Sequence, residues 1–343
     1  MLRFTKTLIV GGILLPTLAQ ANILEEVVVT ANRADQTIAE VNSNISVITA
    51  GDLRRINPTH INEAMQRVAG AWISRGNGQE HLTALRSPVL TGAGACGAFL
   101  MAQDGIPLRA SGFCNVNQLF DAHSEHAGGI EVIKGPASAV YGANAMHGMI
   151  NIRTPAIDGS SGAGLEAGPH DYYRTSITLG QPTWRLDFNG TTDGGYKDAS
   201  GFDQQKLSAT ALGQWLGFSA TTGLSVTNLN QETAGFIQGP QAYKDKSLAK
   251  QNPNPEAFRD SRSARIYSRL ERPLNAGKLV LTPYARDTKM TFIQHFLPGQ
   301  ALEENAHTSI GIQSAWYKDR WTVGADFEVT EGDLREYQPD PTA

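Results

Sequence analysis

The chain has 343 residues, of which 41% are hydrophobic, and a formal net charge of −4. This length allows two domains but not many, and the absence of a Lys/Arg-rich run argues against a nucleic-acid partner. The 35 glycines favour a β-rich chain with many turns over a helical one. Since no Ser/His/Asp set or pair of carboxylates stands out, we expect no enzyme, no cofactor and no metal site.

Residues 1–21 have the layout of a secretory signal. Arg3 and Lys6 precede an apolar stretch at 8–15, and Ala19 and Ala21 form an A-x-A cleavage site. The apolar stretch is shorter than the roughly 20 residues that a membrane-spanning helix needs. We therefore predict that the chain is exported, and that the mature protein is either soluble or enters a membrane as a barrel.

The segment 22–33, directly after the predicted signal, is rich in β-branched residues. Its centre reads, in order, Glu26, Val27, Val28, Val29, Thr30 and Ala31. Consecutive valines favour an extended backbone, and an extended terminal segment can add itself as a strand to the sheet edge of a partner.

Residues 34–157 carry the signals of a compact domain that mixes helix and strand. A 3.6-residue apolar pattern predicts a helix over 49–68, and Asp104-Gly105 predicts a turn. The predicted strands are 45–48, 71–75, 99–103, 130–133 and 149–152.

From about residue 163 onward the pattern changes to a period of two. Trp321, Val323 and Phe327, for example, alternate with Thr322 and other small or polar residues. About nine such segments follow one another, which is typical of antiparallel transmembrane barrel strands. A soluble β-sandwich alternates in the same way, but four of the five tryptophans (184, 215, 316 and 321) lie near strand ends, as an interfacial aromatic belt requires.

Cys96 and Cys114 are the only cysteines. An exported chain meets an oxidising compartment, so we predict a disulfide between them. The alternative is a pair of free, buried thiols. A metal pair is not expected because the spacing is wide and no Cys-x-x-Cys occurs.

The most specific stretch is 129–153, in which an apolar strand is followed by a Lys-Gly-Pro turn, a small-residue segment ending in Tyr141-Gly142, and a second strand. It closely resembles the end of the plug domain of TonB-dependent outer-membrane receptors. The resemblance implies an α+β plug followed by antiparallel transmembrane β-barrel strands, in contact with outer-membrane lipid. By the same resemblance Glu26–Ala31 is the TonB box, and the periplasmic protein TonB is the partner that binds it.

Nine strands are too few to enclose a domain of this size, because plugged transporters need about 22 strands. We therefore expect the chain to be the N-terminal part of a longer receptor, divided into signal (1–21), TonB box segment (22–33), plug (34–157) and barrel strands (158–343).

The resemblance also implies roles for particular plug residues. Arg86 and Lys134 occupy positions where basic residues pair with glutamates of the barrel wall and lock the plug in place. Two plug segments are expected to face the outside through the barrel mouth and to bind the ligand. Their candidate ligand-binding residues are Arg75, Asn77, Gln79, Arg109, Phe113 and Asn115.

Two further motifs carry little weight. Gly92–Gly97 matches G-x-G-x-x-G, but the segment after it reads as a strand and not as the helix that a dinucleotide site requires. His123 and His126, with Asp121 nearby, do not have the spacing of a common zinc site. A flexible loop and a polar turn are the simpler interpretations.

The resemblance implies that the ligand is a bulky nutrient, and a ferric siderophore is the first expectation because that class is common in the family. Cobalamin or another bulky nutrient is the second expectation. A different class remains open, namely an exported β-rich binding protein that does not use TonB.

Overall fold

The computed structural model describes residues 28–29, 33, 36–38, 41, 43–91, 96–113, 117–319 and 321–338. The predicted signal peptide and Glu26, Val27, Thr30 and Ala31 of the predicted TonB box lie outside these ranges. The described residues form a mixed domain, hereafter the plug, and a nine-stranded antiparallel sheet, hereafter the wall. Among them no helix is long and apolar enough to cross a bilayer.

The plug is built from short elements. Its first two strands, β1 (Val28–Val29) and β2 (Gln36–Thr37), pair with each other. The remaining elements are β3 (Ile45–Thr49), α1 (Ala50–Ile56), α2 (Ile61–Met65), β4 (Ala71–Arg75), β5 (His81–Leu85), β6 (Leu100–Gln103), β7 (Ile106–Pro107), β8 (Gly129–Lys134), α3 (Ser138–Tyr141) and β9 (Gly148–Arg153). Short 3₁₀ turns lie at Gln118–Asp121, Ser124–His126 and Ala143–Ala145.

The prediction of a single helix over 49–68 is wrong, because the structure has two helices there, α1 and α2. Thr49 caps α1 with a capping box to Asp52. The helix ends at Asn57, which adopts the left-handed conformation, and Pro58 follows. Proline disfavours the helical conformation of the residue before it, so a continuous apolar pattern is interrupted by local backbone chemistry.

Five plug strands form one sheet in the order β3-β8-β9-β6-β7, with β6 and β9 parallel. The β4–β5 hairpin lies apart from this sheet, and β5 was not predicted from the sequence. An apolar core packs one face of the sheet against α1, α2 and the hairpin. Its buried members include Leu53, Met65, Leu85, Phe99, Ile130 and Ile150.

The wall consists of consecutive antiparallel strands, each paired with the next. In chain order they are β10 (Gly162–Gly168), β11 (Tyr172–Gln181), β12 (Trp184–Asp193), β13 (Phe202–Trp215), β14 (Phe218–Glu232), β15 (Phe258–Leu274), β16 (Gly277–Ile293), β17 (Leu302–Lys318) and β18 (Trp321–Tyr337). The first wall strand begins at Gly162, and the last plug strand ends at Arg153.

The two ends of the wall differ. At one end, the short-turn end, strands are joined by two-residue turns such as that between β15 and β16, where Asn275 and Ala276 both have positive φ. Such a turn matches the twist of the strands it joins. At the other end, the long-loop end, connections include residues 233–257 between β14 and β15. In the family to which the sequence points, long loops face outward and short turns face the periplasm.

The two faces of the wall also differ, as the alternation predicts. One face, hereafter the inner face, contacts the plug and buries polar residues such as Lys206, Arg259 and Arg286. The opposite face exposes apolar side chains, among them Leu165, Ile310 and Phe327. Burying polar groups inside and exposing apolar ones outside reverses the usual soluble arrangement and suits a sheet that faces lipid.

Candidate functional site at the plug–wall interface

The interface between the plug and the inner face is where the predicted ligand-binding and locking residues belong. Near the long-loop end, the turn between β4 and β5 docks on β14. Asn77 donates to the backbone oxygens of Ser200 and Glu232, each at 3.0 Å, and the backbone amide of Gln79 donates to Gln231 at 2.6 Å. A Cβ on Gly78 would meet the Gln231 side chain at 2.3 Å. Glycine is therefore what allows this close approach.

Glu80, next in the same turn, forms an ion pair with the wall. Arg259 of β15 reaches its carboxylate at 2.9 Å, and the guanidinium also lies 4.1 Å from the centre of the Phe292 ring. Arg259 is 2% exposed. A buried guanidinium needs such partners, because an unpaired buried charge is costly.

Arg109 lies deeper, buried between the plug and β17. It donates to Gln118 at 3.1 Å and to Asn305 at 2.6 Å, and its guanidinium lies 5.7 Å from the centre of the Phe113 ring. Burial lowers its pKa to about 10, although Asp121 opposes that shift. The Phe113 ring in turn packs on His307, with ring centres 4.6 Å apart.

The middle of the interface is held by Lys206 of β13. Its ammonium group contacts Glu125 at 2.9 Å and donates to the backbone oxygen of Ala122 at 2.8 Å. Beside it, His123 and Thr227 lie within hydrogen-bond distance, 3.1 Å apart. Burial, followed by the nearby charge of Lys206, holds the pKa of His123 well below its usual value, so this imidazole is neutral in the interface.

Near the short-turn end, Arg33 ties the segment after the predicted TonB box to the wall. Its two terminal nitrogens contact the two carboxylate oxygens of Asp326 on β18, both at 2.5 Å. Tyr317 of β17 donates to the Arg33 backbone oxygen at 2.7 Å. The guanidinium also lies 5.1 Å from the centre of the Tyr141 ring, within the plug motif. Bidentate pairing of this kind is the strongest geometry available to arginine.

The predicted ligand-binding residues divide into two groups. Gln79 and Arg109 are buried, at 4% and 2% exposure, and Asn77 is occupied by wall oxygens. Arg75 is more exposed and pairs with Glu63 at 3.1 Å. Asn115 lies outside the described residues. Ligand binding by this set stays a prediction, and Arg75 is the member most available to a ligand in this conformation.

The predicted lock residues contact the plug itself. Arg86 donates to the backbone oxygen of Lys134 at 3.1 Å, and Lys134 donates to Ser46 at 2.8 Å. Within the described part of the chain, neither forms an ion pair with a wall carboxylate. Their locking role stays a prediction.

Cys96 is disulfide-bonded, whereas Cys114 lies outside the described residues, so the predicted pairing stays a prediction. No cluster of three or more potential metal ligands occurs among the described residues. His126 instead lies within hydrogen-bond distance of the Phe188 backbone oxygen, at 3.2 Å.

Several interface residues were not singled out from the sequence, including Arg33, Lys206, Arg259 and Asp326. The period-two pattern indicates that the last three face inward, but it does not identify their partners. Arg33 and Asp326 are 293 positions apart, and no local pattern relates two such positions.

The plug matches the family model of the TonB-dependent Receptor Plug Domain over residues 37–149. Among curated proteins, the Vitamin B12 transporter BtuB of Vibrio vulnificus (strain CMCP6) is 30% identical over 183 residues. The match covers 52% of this chain and 29% of that protein. The chain therefore aligns with less than a third of the length of this relative.

Solved structures share the fold of plug and wall together. P. aeruginosa FpvA bound to heterologous pyoverdines gives a TM-score of 0.70 at 14% identity, covering 91% of this chain and 45% of that chain. The ferric yersiniabactin uptake receptor FyuA from Yersinia pestis gives 0.65 at 15% identity, covering 88% of this chain and 50% of that chain. The likeness extends over most of this chain and about half of each receptor.

Proposed function

We propose, from the premise that this chain belongs to the TonB-dependent outer-membrane receptors, that it takes part in the uptake of a bulky nutrient and that TonB displaces its plug. The chain lies in the outer membrane, as its family and its fold indicate. The family is one of receptors and transporters, and we propose no enzymatic activity.

The observation that carries the proposal is the polarity of the plug–wall interface. The plug has its own large apolar core, whereas its contacts with the wall are mainly hydrogen bonds and ion pairs, together with one small apolar cluster around Phe120. Water can replace polar contacts when the surfaces part, because the net contribution of one such hydrogen bond is about 0.5–1.5 kcal/mol. A plug attached in this way is suited to displacement while its core stays folded.

Two residues of the predicted TonB box form a short strand. In the part of the chain that the structure describes, Val28 and Val29 pair with Gln36 and Thr37. An isolated two-stranded pair is marginal in water, so TonB can compete for the extended segment by strand addition. We propose that the whole stretch Glu26–Ala31 binds TonB in this way.

For the ligand, we propose a ferric chelate first and cobalamin second. The chelate is supported by structural relatives named for pyoverdine and ferric yersiniabactin, and by the basic side chain of Arg75, which is the predicted ligand-binding residue most available in this conformation. Cobalamin is supported by the curated relative named as a Vitamin B12 transporter. Growth of a receptor knockout on single ferric chelates or on limiting cobalamin distinguishes the two ligands. The knockout cannot take up the nutrient of this receptor, so it should fail to grow only when that nutrient is the sole source.

The test of TonB coupling is Val28→Pro in the receptor that carries this chain. Proline removes the backbone N–H needed for strand addition, so we expect nutrient uptake to be lost while nutrient binding to cells persists. Val28→Thr keeps the N–H and the β-branched shape, and it should transport normally. Normal uptake by the proline variant would instead favour an exported binding protein that does not use TonB.

A further inference from the structure

A cavity of about 340 Å³ lies between the plug and the inner face of the wall, towards the short-turn end. The plug contributes the turn after β6 and the segment 151–157 to its lining. The wall contributes residues from β13 to β17, among them Thr210, Thr282 and Gln313. The lining combines hydroxyl, amide and guanidinium groups with apolar side chains such as Leu212 and Val280, so the cavity is suited to a solute that has both polar and apolar parts.

The cavity ends at a hydrogen bond between the plug and the wall. The Tyr267 hydroxyl of β15 donates to the Asp104 carboxylate at 3.1 Å. Asp104 also accepts from the backbone amide of Thr154 at 2.8 Å and from its hydroxyl at 2.5 Å. A single carboxylate therefore joins the β6–β7 turn, the end of the plug and the wall.

A glycine on the neighbouring strand sets the position of the Tyr267 ring. Gly223 of β14 lies directly opposite Tyr267, and a Cβ there would meet the ring at 2.4 Å. The ring thus lies across the backbone of β14, where any larger residue would displace it. The same arrangement recurs at Tyr284 and Gly311, but the Tyr284 hydroxyl contacts Glu328 of the wall.

Beyond the Asp104–Tyr267 contact lies a second, smaller void of about 10 Å³. Its lining shares Asp104, Thr154, Thr210 and Tyr267 with the large cavity, so the two spaces adjoin at this contact. Arg265 also lines the void, and its NH1 nitrogen is buried without a hydrogen-bond partner among the described residues. The void has room for about one water molecule.

Apart from the partly exposed Arg33–Asp326 pair at the edge of the cavity, the contacts along this side of the plug differ from those elsewhere in the interface. Here Arg265 donates to Gln103 at 2.7 Å, Arg286 to the Pro107 backbone oxygen at 2.6 Å, and Gln313 to the Gly105 backbone oxygen at 3.1 Å. Each is a hydrogen bond with at most one charged partner. By contrast, Lys206–Glu125 and Arg259–Glu80 are buried ion pairs, and breaking a buried pair exposes two charges to be rehydrated.

We propose that the passage for the nutrient opens along this side of the plug, and that the Asp104–Tyr267 hydrogen bond is its gate. This inference rests on the proposed transport function. Parting Asp104 from Tyr267 joins the two spaces and leads towards the short-turn end, while the ion pairs on the other sides keep the plug attached. The β6–β7 turn and the segment 154–157 are the parts of the plug that move.

The first test closes the passage with a reversible tether. A short thiol cross-linker spans the gate in the double variant Gly105→Cys with Gln313→Cys. The control is the same linker on another side of the plug, in Asn57→Cys with Glu166→Cys, whose native side chains are 2.8 Å apart. We expect the gate tether to abolish energised uptake, reduction to restore it, and nutrient binding to persist. The control tether should leave uptake unchanged.

Other outcomes of the tether experiment contradict the inference. If both tethers stop uptake, the plug leaves as a whole and no side is special. If the gate tether has no effect, the passage lies elsewhere. If the untethered receptor folds normally but transports none of the nutrients tested, the result contradicts the proposed transport function. It does not bear on the position of the gate.

A second test weakens the gate without a tether. Tyr267→Phe keeps the ring over Gly223 and removes one hydrogen bond to a carboxylate, so we expect a roughly tenfold rise in leakage of a bulky hydrophilic antibiotic in cells that lack TonB. Tyr284→Phe removes the equivalent hydroxyl within the wall and should not leak. Equal leakage from both variants, or from neither, would overturn the assignment of Tyr267 as the gate residue.

Discussion

The core of the plug is closed by apolar packing, whereas the contacts between the plug and the wall are mainly polar. The core is apolar and closed, with Leu85, Phe99 and Ile130 each 0% exposed. The surface towards the wall is richer in amides, carboxylates and guanidinium groups that reach across to polar partners, and its apolar contacts include a small cluster in which Phe120 meets Phe202 and Leu229. Apolar burial is lost as soon as surfaces part, whereas polar contacts are exchanged for water. This difference between core and surface suits the displacement of an intact plug that we propose.

The largest expected effect comes from the core. Leu85→Ala removes a fully buried side chain that packs in the main apolar cluster, which should lower the free energy of unfolding of the plug by about 2–5 kcal/mol. Hydrogen exchange of plug amides in the whole receptor measures this change. Met146→Ala, at a position 60% exposed, serves as the control and should have little effect. Similar losses from both substitutions would contradict the division between core and surface.

A smaller effect is expected at the interface. Lys206→Met leaves Glu125 and the Ala122 oxygen without their partner, which should weaken plug attachment by roughly 1–3 kcal/mol. Amide exchange should quicken in 118–126 but stay slow in β8 and β9. The double variant Lys206→Met with Glu125→Gln should recover much of the loss, because no unpaired charge remains. Faster exchange throughout the core would show that interface and core are not separable.

The third expected effect is on pH dependence. His60 and His81 lie side by side, with ring centres 5.6 Å apart. Burial lowers the pKa of His60 to about 2 and that of His81 to about 4. Burial is the largest cause of both pKa shifts; His81 and Arg75 also contribute to the shift of His60, and Arg259 and Lys206 contribute to that of His81.

Since the folded pKa values lie below the ordinary value, the unfolded plug binds protons first as the pH falls below about 6.5. The free energy of unfolding of the plug is therefore highest above that pH and falls as the pH decreases towards 4. At pH 5.5 the expected loss is about 1 kcal/mol per histidine. Hydrogen exchange between pH 7 and pH 5 measures the slope after correction for intrinsic rates. His81→Asn retains a donor for the Gln79 oxygen and should flatten the slope; an unaltered slope would mean that other groups cause it.

The smallest effect is expected at Arg33. Its pair with Asp326 is partly exposed, with side-chain exposures of 15% and 40%, so Arg33→Gln should cost about 0.5 kcal/mol. A thiol reagent on Val29→Cys should then react about twofold faster, because the N-terminal segment is released more often. Asp326→Asn should raise the reaction rate by the same factor, and the double variant should react no faster than either single variant. Arg55→Gln, which breaks a pair within α1, should not alter this reaction.

Local patterns in the sequence predicted much of the architecture correctly. The alternation after about residue 163 predicts strands and inward-facing positions, and the motif at 129–153 identifies the plug because it encodes two adjacent strands and the turn between them. The prediction of one helix over 49–68 was wrong because Pro58 and the left-handed Asn57 interrupt a continuous apolar pattern. The strand at His81–Leu85 was missed because nearly all of its side chains are buried, so its sequence has no period-two alternation.

The sequence by itself thus determined the order of the elements, the faces of the strands and the family of the fold, since these depend on neighbours two to four positions apart. The tertiary structure alone decided which polar groups meet. Arg109 finds Asn305 across 196 positions and Tyr267 finds Asp104 across 163. Such pairs depend on the register of every wall strand and on how the plug is seated against them, and both are set by packing across the whole molecule.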